Sequence, residues 1–114
     1  MTDRITLCRL ADLDATGAKG VAREYDGRWR EIVVVRAMDG TIRGYDNRCP
    51  HLDLTLEARP DRFLDDNRAH LVCAMHGARF RVDDGVCVWG PCEGRSLAQV
   101  AIVISGDAVL LGEG

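Results

Sequence analysis

Residues 30–46 read R-E-I-V-V-V-R-A-M-D-G-T-I-R-G-Y-D, and this stretch decides the fold class. Ile32, Val33, Val34 and Val35 form an unbroken β-branched run. Two heavy atoms on each Cβ stiffen these side chains and suit them to the pleated surface of a buried strand. Asp39-Gly40 follows as a tight-turn signal. Thr41 to Asp46 then returns as the second arm of a hairpin.

The same signals recur on both sides. Ile5 to Leu10 reads as a first strand, and Ala18 to Tyr25 as a weaker second one. Towards the end, Val100, Ile102 and Ile104 alternate within Ala98 to Ser105. Gly106-Asp107 then turns the chain into Ala108 to Leu111, a second hairpin. Between these β blocks, residues 47–94 differ in kind. They hold all three prolines, all three histidines and four of the five cysteines. That concentration marks a site-bearing insert on a β scaffold. Within it, Leu71 to Cys73 reads as a short strand. Phe80 to Val82 and Val86 to Trp89 flank the turn signal Asp84-Gly85, and Pro60 to Arg68 has room for a helical turn. The expected class is all-β: a small antiparallel sandwich or partly open barrel with an added subdomain.

The chain has 114 residues, which fits one domain over 1–114. Its net charge of −3, from 15 basic and 18 acidic residues, argues against nucleic acid as a partner. No apolar run approaches the roughly 20 residues that cross a bilayer. Asp3 and Arg4 are followed by too short an apolar stretch for a signal peptide. The expectation is a cytoplasmic protein with no membrane partner. Five cysteines, an odd count without an export signal, argue against a disulfide framework.

Two pairs carry the chemistry. Cys49-Pro50-His51 and Cys73-Ala74-Met75-His76 each set a thiolate and an imidazole close together, with 21 residues between His51 and Cys73. Two kinds of metal centre suit two sulfur and two nitrogen ligands. Zinc takes them tetrahedrally around one ion. A [2Fe–2S] cluster takes two cysteines on one iron and two histidines on the other. Ligand count alone does not choose. The flanks are informative: Gly77 follows His76, then come Phe80, Asp84-Gly85, Gly90-Pro91 and Leu97. A glycine after the histidine permits a backbone that aims N–H donors at sulfur. Gly90-Pro91 reads as a rigid loop that caps one side, and Leu56 as the residue that buries the first ligand loop.

Cys49-Pro50-His51 with Leu56, Cys73-x-x-His76-Gly77-x-x-Phe80, Asp84-Gly85 and Gly90-Pro91 together resemble the Rieske [2Fe–2S] ferredoxin family over about residues 46–97. The resemblance implies an inserted Rieske-type cluster-binding subdomain with one [2Fe–2S] cluster. Cys49 and Cys73 would hold the buried iron, and His51 and His76 the outer iron, towards solvent or a partner. The spacer between the loops is longer than in compact Rieske ferredoxins, and the extra length falls in Arg59 to Ala69. High-potential members carry a disulfide between the ligand loops, where this chain has Leu54 and Met75. They also carry serine and tyrosine donors, where this chain has Ala78 and Phe80. Fewer donors stabilise the reduced cluster less. The expected potential therefore lies toward the low end of the Rieske range of roughly −150 to +300 mV.

Plainer readings apply elsewhere. His70 lies outside the motif and reads as an ordinary strand or surface residue, and Cys8 as a core residue. Cys87 and Cys92 flank Gly90-Pro91 and read as free thiols, with a local disulfide or sulfurs near the cluster edge as alternatives. Trp89 reads as a packing residue. The charged stretch from Arg59 to Arg68 reads as solvated surface. The resemblance implies a soluble carrier, not an enzyme, that passes single electrons from a flavin-containing reductase to a terminal oxygenase. Two rivals stand beside it: the Rieske-like small subunit of an assimilatory nitrite reductase or another redox complex, and a structural Cys2His2 zinc module.

Overall fold

The computed structural model describes residues 5–25, 27–50, 55–57, 59, 61–75 and 77–112. It is all-β, with three small antiparallel sheets and no closed barrel. The strands are β1 (Thr6–Arg9), β2 (Ala18–Tyr25), β3 (Arg28–Arg36), β4 (Ile42–Asp46), β5 (His70–Val72), β6 (Arg79–Arg81), β7 (Cys87–Trp89), β8 (Ile102–Ser105) and β9 (Ala108–Leu111). A single 3-10 turn, Leu10–Leu13, follows β1. The sheets run β2-β3-β4, β1-β9-β8 and β5-β6-β7. No helix among the described residues is long and apolar enough to cross a membrane.

The β-branched run of β3 is continuous because both its faces are covered. Val33 and Val35 point into one core with Tyr45, Cys49, Leu56, Phe63, Leu71, Cys73 and Phe80. Ile32 and Val34 point into a second core with Leu7, Leu13, Val109 and Leu111. Successive side chains of a strand face opposite ways, so a strand between two cores must be apolar at every position. β3 is the partition of the molecule. β2 pairs with it over eight residues, from Ala18 opposite Val35 to Tyr25 opposite Arg28.

The two terminal segments close the second core. β9 lies between β1 and β8, and the expected alternation in the last hairpin is only partly realised. Val100 is buried, but Ile104 is exposed, because β8 is an edge strand with one neighbour. The expected helical turn at Pro60 to Arg68 is not formed over its described part, where the chain makes turns and a lone bridge between Leu64 and Leu71. Pro60 itself is outside the described residues.

That segment is also less solvated than its charges suggest. Phe63 is buried at its centre. Asp61, with φ +62°, accepts from the Gly20 N–H at 2.9 Å and from Lys19 Nζ at 3.1 Å. Asp65 is nearly enclosed. One of its oxygens accepts from the backbone N–H of Ala69 (2.8 Å) and His70 (3.2 Å). The other meets the His70 ring (3.2 Å) and the Arg79 guanidinium (3.0 Å). Burial opposes the charge on Asp65, but the N–H donors of His70 and Ala69 outweigh it and hold the carboxyl below its ordinary value.

A carboxyl depressed in the folded state stabilises the fold above its unfolded value of about 3.9, and the contribution is lost as pH falls through the folded value. Below about pH 4, wild type should therefore lose stability faster than Asp65→Asn. Urea unfolding followed from pH 7 to pH 2 checks this. Parallel acid limbs for the two proteins would show that the linkage lies elsewhere.

Candidate metal centre

Cys49 leaves the end of β4, and Cys73 leaves the end of β5. Both sulfurs belong to the core that Val33 and Val35 enter, and both residues are 0% exposed. His51 and His76 lie outside the described residues, as does Leu54. The structure thus brings the two cysteines of the expected set into one core.

The first loop is held from below by a residue the motif did not reveal. Asn47 is the one polar residue buried among the described residues. Its Oδ1 accepts from the Leu56 N–H at 2.8 Å, across the stretch that carries Cys49. Its Nδ2 donates to Glu57 at 2.9 Å. Leu56 is fully buried, as expected, and its carbonyl accepts from the Ala74 N–H at 2.8 Å. That bond stitches the first loop to the second. The bond between Asn47 and Leu56 is buried, where a lost partner costs about 1–3 kcal/mol.

The second loop is a tight turn closed on itself. The Cys73 N–H donates to Ala78 O, and the Gly77 N–H donates back to Cys73 O, both at 2.8 Å. Gly77 has φ +71°, which glycine adopts without the Cβ clash. Ala78 and Phe80 are fully buried and offer no side-chain donor. Met75 is 60% exposed, beside the position of His76. Trp89 was expected to pack, but it is 59% exposed. Its ring stands 3.5 Å from where a Cβ on Gly77 would lie.

A third loop closes the site. Gly90 has φ +109°, and a Cβ there would stand 2.8 Å from Ala78 Cα. The loop after it is knit by backbone bonds: Glu93 N–H to Gly90 O (3.1 Å), Gly94 N–H to Cys87 O (3.0 Å) and Arg95 N–H to Cys92 O (2.8 Å). Arg95 reaches back to Pro50 O at 3.4 Å. Cys87 and Cys92 are buried free thiols, and their sulfurs are 3.2 Å apart. Burial, with the Cys87 and Cys49 sulfurs alongside, pushes the Cys92 thiol up to about 12. Cys8, in the other core, is buried on β1 as expected, and burial pushes it up to about 11. His70 begins β5 with its ring on Asp65, an ordinary strand position.

Cys49 and Cys73 fit the buried half of a cluster that takes two cysteines on one iron. Two cysteines sit in dry surroundings on two loops that are bonded to each other. The two histidines expected from the sequence, at 51 and 76, follow two and three residues further along the chain, outside the described residues.

A model of the Rieske [2Fe–2S] domain matches residues 3–103. No curated protein sequence matches the chain. Among solved structures, the ferredoxin of carbazole 1,9a-dioxygenase from Nocardioides aromaticivorans IC177 is similar, with a TM-score of 0.73 and 23% identity. The match covers 99% of this chain and 100% of that one. A chain from the complex of reduced oxygenase and oxidised ferredoxin in carbazole 1,9a-dioxygenase matches with a TM-score of 0.70 and 19% identity, over 95% of this chain and 91% of that one. The quaternary ammonium Rieske monooxygenase CntA matches with a TM-score of 0.70 and 18% identity, but over 31% of its own length against 96% of this chain. At such identities these structures show a shared fold.

Proposed function

Because the chain belongs to the Rieske [2Fe–2S] domain family, a group whose cluster is held by two cysteines and two histidines, we propose that Cys49, His51, Cys73 and His76 are its ligands. On this reading the protein is a one-electron carrier between a flavin-containing reductase and a terminal oxygenase.

The observation that carries the reading is the burial of Cys49 and Cys73 in one core, on loops joined through Leu56 and Ala74. A bound cluster supplies a one-electron couple. The residues of this chain do the rest. Cys49 and Cys73 hold the inner side away from water. The backbone N–H groups of the turn from Cys73 to Ala78 keep that loop in shape. Met75 and Trp89 leave apolar surface on the side of the second loop. The match to a ferredoxin over that chain's whole length supports a carrier. The named complex of oxygenase with ferredoxin supports an oxygenase as acceptor. Five cysteines without a disulfide support a reducing compartment, the cytoplasm.

Visible and low-temperature EPR spectra before and after dithionite test this. The expected protein is red-brown, contains iron and labile sulfide, bleaches on reduction and shows the low average g-value of a histidine-ligated cluster. Its midpoint potential is expected below about 0 mV, in the lower part of the Rieske range, because Ala78 and Phe80 supply no donor. A potential well into the positive range would contradict the donor argument. A colourless protein that holds zinc and no iron would replace the carrier with a structural module.

A further inference from the structure

Cys87 and Cys92 stand at the two ends of one short loop, and neither belongs to the expected ligand set. Both are buried, yet Pro91, Glu93, Gly94 and Arg95 around Cys92 are exposed, as are Val88 and Trp89 after Cys87. The pair is thus covered by the thickness of a single loop. The two sulfurs meet at 3.2 Å, with the Cys92 thiol donating to the Cys87 sulfur and the Cys87 thiol donating on to Trp89 O at 3.2 Å. Backbone bonds fix that approach. The Cys87 N–H donates to Arg95 O at 2.7 Å, the Gly94 N–H to Cys87 O at 3.0 Å and the Arg95 N–H to Cys92 O at 2.8 Å. The contact is therefore built by the loop and not by one side-chain rotamer. All five cysteines are free thiols. Sulfurs already in contact need to close by only about 1 Å to become bonded.

We propose that Cys87 and Cys92 are a redox modification site: a dithiol at rest that closes to a disulfide by exchange with a small disulfide oxidant of the oxidised-glutathione class. One cysteine, as thiolate, attacks a sulfur of the oxidant, whose S–S bond breaks and releases one thiol. The other cysteine attacks the first at its sulfur. The Cys87–Cys92 bond forms and the second thiol leaves. Two electrons pass from the pair to the oxidant, whose two thiols carry off the two protons. The second attack joins sulfurs that are already neighbours, so the mixed disulfide does not accumulate. Burial governs the first attack. It waits on an opening of the loop, and a segment covered by one layer of exposed residues opens without global unfolding. Closure bears on the metal centre because the same loop packs on the second ligand loop, Gly90 against Ala78. A covalent bond between its ends removes open forms of the loop and holds the cap in place. Only this consequence rests on the ligand set proposed above.

Intact mass and a peptide map of the purified protein, kept in reduced or in oxidised glutathione, test the site. Oxidised glutathione should remove two hydrogens from wild type, place the bond between Cys87 and Cys92 and leave no glutathione adduct. Dithiothreitol should restore both thiols. Cys8, the one cysteine of the other core, should remain a thiol throughout. Cys92→Ser should form no internal bond. In an iron chelator the visible bands of the oxidised wild type should bleach severalfold more slowly than those of the reduced protein, and Cys92→Ser should show no such difference. Cys87 and Cys92 remaining thiols, a bond from either to Cys49 or Cys73 instead, or Cys8 reacting as fast as the pair would overturn the site. A closed pair with unchanged bleaching would overturn its hold on the third loop. Protein that holds no iron would overturn the ligand set, while the peptide map would still decide the pair.

Discussion

Cys73→Ser is expected to purify colourless, with less than about a tenth of the wild-type iron and labile sulfide, since even indirect partners of a metal site cost 10- to 100-fold in affinity when lost. The position allows a clean reading. The Cys73 side chain is fully buried, while its backbone makes the bonds that shape the loop: its N–H to Ala78 O and its carbonyl to the Gly77 N–H. Serine keeps both bonds and nearly the same volume. The cost of a hydroxyl in that core is about 1–3 kcal/mol, so the variant should remain folded. Far-UV circular dichroism should retain the β signature while the visible bands vanish. Full loading of Cys73→Ser would remove Cys73 from the site and with it the proposed ligand set.

The parts of this molecule that were legible in the sequence are those set by local pattern. β3 and β4 follow from a β-branched run, an Asp-Gly turn and a returning strand, all within residues 28–46. Leu56 as the residue that buries the first loop was equally local. Other features depend on partners far along the chain. Asn47 carries no local signal of its own. Its importance comes from Leu56 and Glu57, nine and ten residues on, which only the folded loop brings to it. Asp65 sits in a charged stretch that reads as solvated surface. Only the pairing of β5 with β6 puts Arg79 against it. Trp89 misled for a related reason: an indole suggests a core, but β7 is an edge strand and its residue 89 faces out.

How closely the third loop approaches the second lay beyond sequence for the same physical reason, and that distance is set at Gly90.

Gly90→Ala is expected to cost about 2–5 kcal/mol, from about 1–2 for a left-handed backbone and about 1–3 for overpacking. Both terms apply at one position. Its φ is +109°, and the added Cβ would stand 2.8 Å from Ala78 Cα and 3.1 Å from Ala78 Cβ. A flexible side chain could swing aside, but these atoms belong to the turn that follows Cys73 and cannot. The third loop must move outward instead, away from both ligand loops. Gly94 provides the control within the same loop. It also has a positive φ, +90°, yet a Cβ there meets nothing within 4 Å. Gly94→Ala should therefore show the backbone cost alone, about 1–2 kcal/mol. Thermal unfolding of the cluster-loaded proteins, followed by circular dichroism and by visible absorbance together, separates the two. For a chain of this size about 4 °C is lost per kcal/mol, so Gly90→Ala should melt roughly 8–20 °C lower and Gly94→Ala about 4–8 °C lower. Gly90→Ala should also bleach faster in the presence of an iron chelator at temperatures where it is still folded, because the cap over Cys49 has been lifted. Equal melting and equal bleaching of the two variants would mean that the contact at Ala78 does not hold the third loop to the site.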